Sequence, residues 1–141
     1  EEYYEGWDLP SVPLNRSYPD DAAIAMNLDA HCAVVALTHD PKLDDIALLE
    51  ALKSPAFYVG ALGSKKNNDG RRKRLADFDL AAAEIARMRG PVGLRIGSKT
   101  PPEIAVAILA EMTAVRHGVQ IPELVEAPKV NLTTGCAVTP S

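Results

Sequence analysis

The 141 residues are enough for one domain with a sizeable core, and 47% apolar with 24% charged residues is the composition of an ordinary soluble globular protein. A net charge of −4 argues against nucleic acid as a partner of the whole surface and makes any local basic cluster stand out. Two cysteines, Cys32 and Cys136, form no CxxC pair, zinc spacing or disulfide framework, so a reducing cytoplasm is the expected compartment.

Residues 1–18 are rich in aromatics and prolines and have no sustained period, which predicts an irregular lead-in with a short extended piece near Val12–Asn15. The start at Glu1-Glu-Tyr-Tyr, without Met, reads as the interior of a longer protein. Pro19-Asp-Asp21 places acids in a first helical turn and leads Ala22–Asn27 into a short helix. Cys32-Ala-Val-Val-Ala-Leu-Thr38 is a continuous apolar run, the pattern of a parallel strand buried on both faces, with Cys32 as a small core residue. The polar turn from Thr38 to Asp45 follows, with Asp44 or Asp45 as the cap of a helix carrying Leu48, Leu49 and Leu52. That helix ends at Lys53-Ser-Pro55, because the residue before a proline is pushed out of the α region.

Ala56–Val59 reads as the second strand, broken at Gly60 and Gly63 and followed by Ser64 and a basic helix reaching about Phe78. Asp79–Arg89 reads as another short helix with Ile85 and Met88 inward, closed by Gly90-Pro91. Pro91–Gly97 is the candidate third strand. Thr100-Pro-Pro-Glu103 has a cap residue, proline at the first helical position and the glutamate of a capping box. The helix it starts puts Ile104, Ile108, Leu109, Met112 and Val115 on one stripe and stops near His117-Gly118. Residues 122–141 read as a loose tail after a domain spanning 1–121. The longest apolar runs are too short for a membrane span, and no signal-peptide pattern is visible.

Strands alternating with helices predict an α/β fold, a Rossmann-like parallel sheet with flanking helices. Three strands make about half of a doubly wound sheet, and the open edge this leaves predicts a homodimer or a further piece of chain that completes it. Ligands of such sheets bind at the carboxyl ends of the strands. There, Gly60-x-x-Gly63-Ser64 precedes Lys65, Lys66, Arg71, Arg72, Lys73 and Arg74, six cations within ten residues against Asp69 alone. Two readings stand: a phosphate cradle of backbone donors backed by positive field, or a tight turn before a solvated basic helix. Thr38, His39 and Asp40 end the first strand on the same side and read either as a pocket lining or as a hydrogen-bonded turn. They lack the spacing of a metal motif. Gly97-Ser-Lys-Thr100 also leads into a helix start, facing the same ligand or merely capping its own helix. Glu111 reads as a solvated or interface carboxylate, and His31 and His117 as surface or cap residues.

Three pieces in order, residues 33–44 (AVVALTHDPKLD), 57–64 (FYVGALGS) and 90–105 (GPVGLRIG…TPPEIA), resemble the C-terminal Rossmann domain of the xanthine dehydrogenase accessory factor (XdhC/CoxI) family over roughly residues 1–120. The resemblance implies a maturation factor that handles molybdenum cofactor, assists its sulfuration and delivers it to xanthine dehydrogenase-type enzymes. The pterin of that cofactor carries a phosphate, which suits a glycine loop backed by cations. On this reading Gly60, Gly63, Ser64 and Lys65 hold the phosphate, while Thr38, His39, Asp40 and Gly97 line the site. Two rival readings are an NAD(P)-binding oxidoreductase half-domain and a domain that docks the target dehydrogenase through its basic helix.

Overall fold

The computed structural model describes residues 5–121. Helix α1 (Pro19–Ala25) is followed by β1 (Ala33–Ala36), α2 (Pro41–Lys53), β2 (Tyr58–Ala61), α3 (Lys65–Ala76), α4 (Ala82–Ala86), β3 (Met88–Arg89) and α5 (Pro101–Arg116). The three strands are parallel and lie in chain order β1-β2-β3, with Val34 opposite Val59 and Val59 opposite Met88. Sequential parallel strands joined by helices are the unit of a doubly wound sheet, as expected from the alternation of patterns.

Strand residues alternate between two faces. Ala36, Val59, Ala61 and Met88 turn toward Leu48, Leu52 and Leu75 of α2 and α3, and this is the core. Tyr58 faces the other way and donates a 2.6 Å hydrogen bond to Glu111 of α5. Gly60 shares that second face: a Cβ there would lie 2.5 Å from Val92 Cγ2 and 2.9 Å from Tyr58 Cε1. The Val92 side chain packs into that space. Val92 N–H adds one more bond to the ladder, donating to Ala61 O.

Several local expectations are corrected. The third strand is Met88–Arg89, not Pro91–Gly97. Pro91 has no N–H to donate, so the pairing of β2 with its neighbour lies mainly before it. The helix expected over Asp79–Arg89 shrinks to α4, and Met88 is inward as a strand residue. Asp40, rather than Asp44 or Asp45, caps α2, its side chain accepting from Lys42 N–H at 2.9 Å with Pro41 at the first helical position. On α5 the buried residues are Ala107, Ile108 and Glu111, whereas Leu109 is 60% exposed. The buried face of α5 is rotated from the expected stripe because Glu111 points inward, to Tyr58. Val12–Asn15 carries no strand and Cys32 is only half-buried. The α5 capping box forms as expected, with Thr100 Oγ1 accepting from Glu103 N–H and Glu103 accepting from Thr100 N–H. His117 is the C-cap of that helix. The expected tail, with Cys136, lies outside the described residues.

Candidate functional site

The carboxyl ends of the strands are tied together by side chains of α3. Arg71 is 5% exposed and donates in three directions. Its Nη2 reaches Asp44 Oδ2 at 3.0 Å and its Nε reaches Asp45 Oδ1 at 3.2 Å. Its Nη1 donates to Leu62 O at 3.1 Å and Asn68 Oδ1 at 3.0 Å. Asp44 in turn accepts from Thr38 Oγ1 at 2.8 Å and Thr38 N–H at 3.3 Å, at the end of β1. Asn68, fully buried, donates through Nδ2 to Gly63 O and Ser64 O, both at 3.1 Å, at the end of β2. Arg72 donates to Met88 O and Gly90 O, at the end of β3. Gly90 packs so closely on the Asn68 carboxamide that a Cβ would overlap it.

This changes the meaning of the basic segment. Arg71, Arg72 and Arg74 are committed to internal partners, Arg74 to Asp45 at 2.7 Å, a bond that raises the Arg74 pKa. Lys65, Lys66 and Lys73 are exposed and make no ion pair among the described residues. The positive field at the loop therefore comes from Lys65 and Lys66 in the first turn of α3, aided by the helix dipole. Gly63 has φ +132°, a conformation that an L side chain rarely adopts. Ser64 caps α3 by accepting from Asn67 N–H at 3.1 Å.

Among the residues expected at the site, Thr38, Gly63, Ser64 and Lys65 fall at the carboxyl ends of β1 and β2. Asp40 is a helix cap and His39 is exposed beside it. Gly60 lies inside β2 and is fully taken up with packing. Gly97 has φ +82° in the turn before α5. There, the Lys99 and Thr100 N–H groups donate to Glu103 Oε2 at 2.7 and 2.9 Å. Those two donors, which also depress the Glu103 pKa, are spent on the cap rather than offered to a ligand. No group of three or more His, Cys, Asp or Glu side chains that could hold a metal ion occurs among the described residues. Nor is any described helix long and apolar enough to cross a membrane.

Sequence reasoning missed Asn68, the Arg71 pairing and the Tyr58–Glu111 bond. Asn68, four residues after Ser64 in a helix start, carried a weak signal, since i and i+4 lie on one helical face. The carboxylate partners of Arg71 lie 26 and 27 residues away and left none. Two clefts, of about 420 and 460 Å³, lie beyond the amino end of β2, lined by Phe57, Tyr58, Arg87, Arg89 and Val115 and by Arg89 with Val119–Ile121. Neither lining includes a residue of the Gly63–Ser64 loop, so that loop belongs to neither cleft.

The family model of the XdhC Rossmann domain matches residues 8–112. The chain belongs to the XdhC Rossmann domain family. Among curated relatives it is 30% identical over 95 residues to the molybdenum cofactor insertion chaperone PaoD of Escherichia coli, covering 67% of this chain and 30% of that protein. It is 35% identical over 109 residues to the uncharacterized protein YqeB of E. coli, covering 77% and 20%. It is also 30% identical over 108 residues to a probable xanthine dehydrogenase subunit from Bacillus subtilis, covering 77% and 31%. A crystal structure of a xanthine dehydrogenase from Bacillus halodurans aligns with a TM-score of 0.58 at 27% identity, over 74% of this chain and 29% of that one. The chain thus spans less than a third of the length of these relatives.

Proposed function

We propose that this XdhC domain serves in the maturation of molybdenum hydroxylases of the xanthine dehydrogenase type, binding molybdenum cofactor and assisting its sulfuration and insertion. The observation that carries the reading is the Gly63–Ser64 loop. It sits at the carboxyl end of β2 with a glycine in the left-handed region, and behind it are Lys65 and Lys66, which make no ion pair among the described residues. PaoD, a molybdenum cofactor insertion chaperone, supplies the choice of ligand.

The fit is to one end of the cofactor. Backbone donors and two lysines suit its phosphate. The loop lines neither of the two clefts described, which leaves the pterin ring to other surfaces. Thr38, His39 and Asp40 form the neighbouring lip and are the residues best placed to border it. Gly60 and Gly97 have roles in packing and in the turn before α5. A dinucleotide is the weaker ligand, since Gly60 lies within the strand and Gly63 alone shapes the loop. Docking through the basic helix is also weaker, because three of its arginines are internally bonded. A homodimer belongs to the same proposal. Its support is the edge of β1, which among the described residues pairs only with β2, and the outward Val106 and Leu109 of α5.

Thermal unfolding with molybdenum cofactor, NAD(P)H or inorganic phosphate, on the native chain and a Gly63→Val variant, tests the reading. Cofactor at about a hundred times its dissociation constant should stabilise the native chain by ~2.7 kcal/mol. The variant, whose branched side chain opposes φ +132°, should lose that shift measured against its own baseline. No shift with the cofactor, or a shift that survives in the variant, overturns the assignment. A larger shift with NAD(P)H would favour the dinucleotide reading.

A further inference from the structure

We propose that Arg71, acting through Asn68, is the positioning residue that turns the backbone donors of the Gly63–Ser64 loop outward and locks this loop to the Thr38 turn. The inference rests on the anion-loop reading above and deepens it.

Three consecutive carbonyls are held by side chains of α3. Leu62 O accepts from Arg71, Gly63 O from Asn68, and Ser64 O from both the side chain and the backbone N–H of Asn68. In a trans peptide the C=O of one residue and the N–H of the next point in opposite directions. Holding these three oxygens toward α3 therefore turns the N–H groups of Gly63, Ser64 and Lys65 away from it. Among the described residues none of those three N–H groups has an acceptor. A row of outward N–H groups beside two lysines is an anion nest, and the buried side chains behind it set its direction.

Two plainer roles for Arg71 account for less. As a source of positive field it contributes little, because Asp44, Asp45, Arg71 and Arg74 together sum to zero charge. As packing alone it would be replaceable, since buried ion pairs can often be exchanged for apolar side chains without loss of stability. Neither role calls for donors aimed at a loop carbonyl on one side and at the Thr38 partner, Asp44, on the other. The planar fork of arginine reaches Asp44, Asp45, Leu62 and Asn68 at once, whereas the single ammonium of lysine cannot span them.

The test is residue-resolved hydrogen exchange on the full chain, native against Arg71→Lys. The amides of Thr38, bonded to Asp44, and Asn67, bonded to Ser64 Oγ, report the two lips. Leu52 and Leu75 report the core. Exchange at both lips should rise about tenfold relative to the core in the lysine variant, the scale set by loss of charge-assisted bonds. Unchanged lips, or an increase at one lip only, would overturn the proposal. Should Arg71→Lys loosen the core as well, Thr38→Val decides. It removes the hydroxyl bond to Asp44 on one lip and should quicken Asn67 on the other, and an unaltered Asn67 refutes the coupling. In parallel, molybdenum cofactor affinity should fall about tenfold in Arg71→Lys, compared at equal distance below each unfolding midpoint. A native chain that binds no cofactor ends the functional reading, while the exchange data still decide the positioning role. Affinity retained despite opened lips would overturn the assignment of Arg71 to binding.

Discussion

Tyr58→Phe removes one oxygen from the centre of the sheet's second face. Tyr58 is 1% exposed and Glu111 is 8% exposed, so neither recovers much hydration in the folded state. The phenol donates to Glu111 Oε1 at 2.6 Å, and the same oxygen accepts from Gly93 N–H at 3.2 Å. Deleting the hydroxyl leaves a buried carboxylate oxygen with its longer partner alone. A hydrogen bond to a charged group contributes ~2 kcal/mol, so the variant should lose about that much. For a domain of this size that is a fall in Tm of roughly 8 °C. Glu111→Gln keeps an acceptor for both donors and should cost about 1 kcal/mol, the value of a neutral bond. Urea unfolding of the two single variants and the double variant, at unchanged m-value, gives the coupling energy directly. If Tyr58→Phe lies within about 0.5 kcal/mol of native, or the two changes add without coupling, the bond does not hold α5 to the sheet.

Burial foremost, then the bond to Glu111 and the charge of Glu111, push the Tyr58 phenol far above its ordinary value. A raised folded pKa favours the neutral form, so this contribution is intact below the unfolded value of about 10 and is lost as pH climbs above it. Tyrosinate absorbance of native protein and Tyr58→Phe should therefore coincide through pH ~10 and separate only as the native fold opens; a missing step near pH 10 in the variant would contradict this. Gly60→Ala places a methyl 2.5 Å from Val92 Cγ2 and should destabilise by about 1–3 kcal/mol in denaturant melts, without the left-handed strain that burdens Gly63. A neutral Gly60→Ala would show that the 90–97 segment yields freely.

Much of the fold was legible because its signals are local. The apolar run at 33–36, the proline after Ser54 and the Thr100–Glu103 box each specify an element through neighbours a few residues away. The second strand and its glycine-bearing exit were legible for the same reason, as was the family, since its three motifs are short and in order. The alternation of these elements was enough for a parallel α/β sheet. What the tertiary structure alone decided is the use of the charges. Local spacing made Arg71, Arg72 and Arg74 look like a field for a ligand, yet each donates to atoms that the crossovers bring close. Glu111 looked solvated because nothing near it in sequence is its partner, while Tyr58 lies 53 residues away. Gly60 looked like a turn glycine until Val92 was folded against it. A carboxylate or guanidinium is inside or outside according to whether a distant group meets its hydrogen-bonding need, and that pairing exists only once the chain has closed.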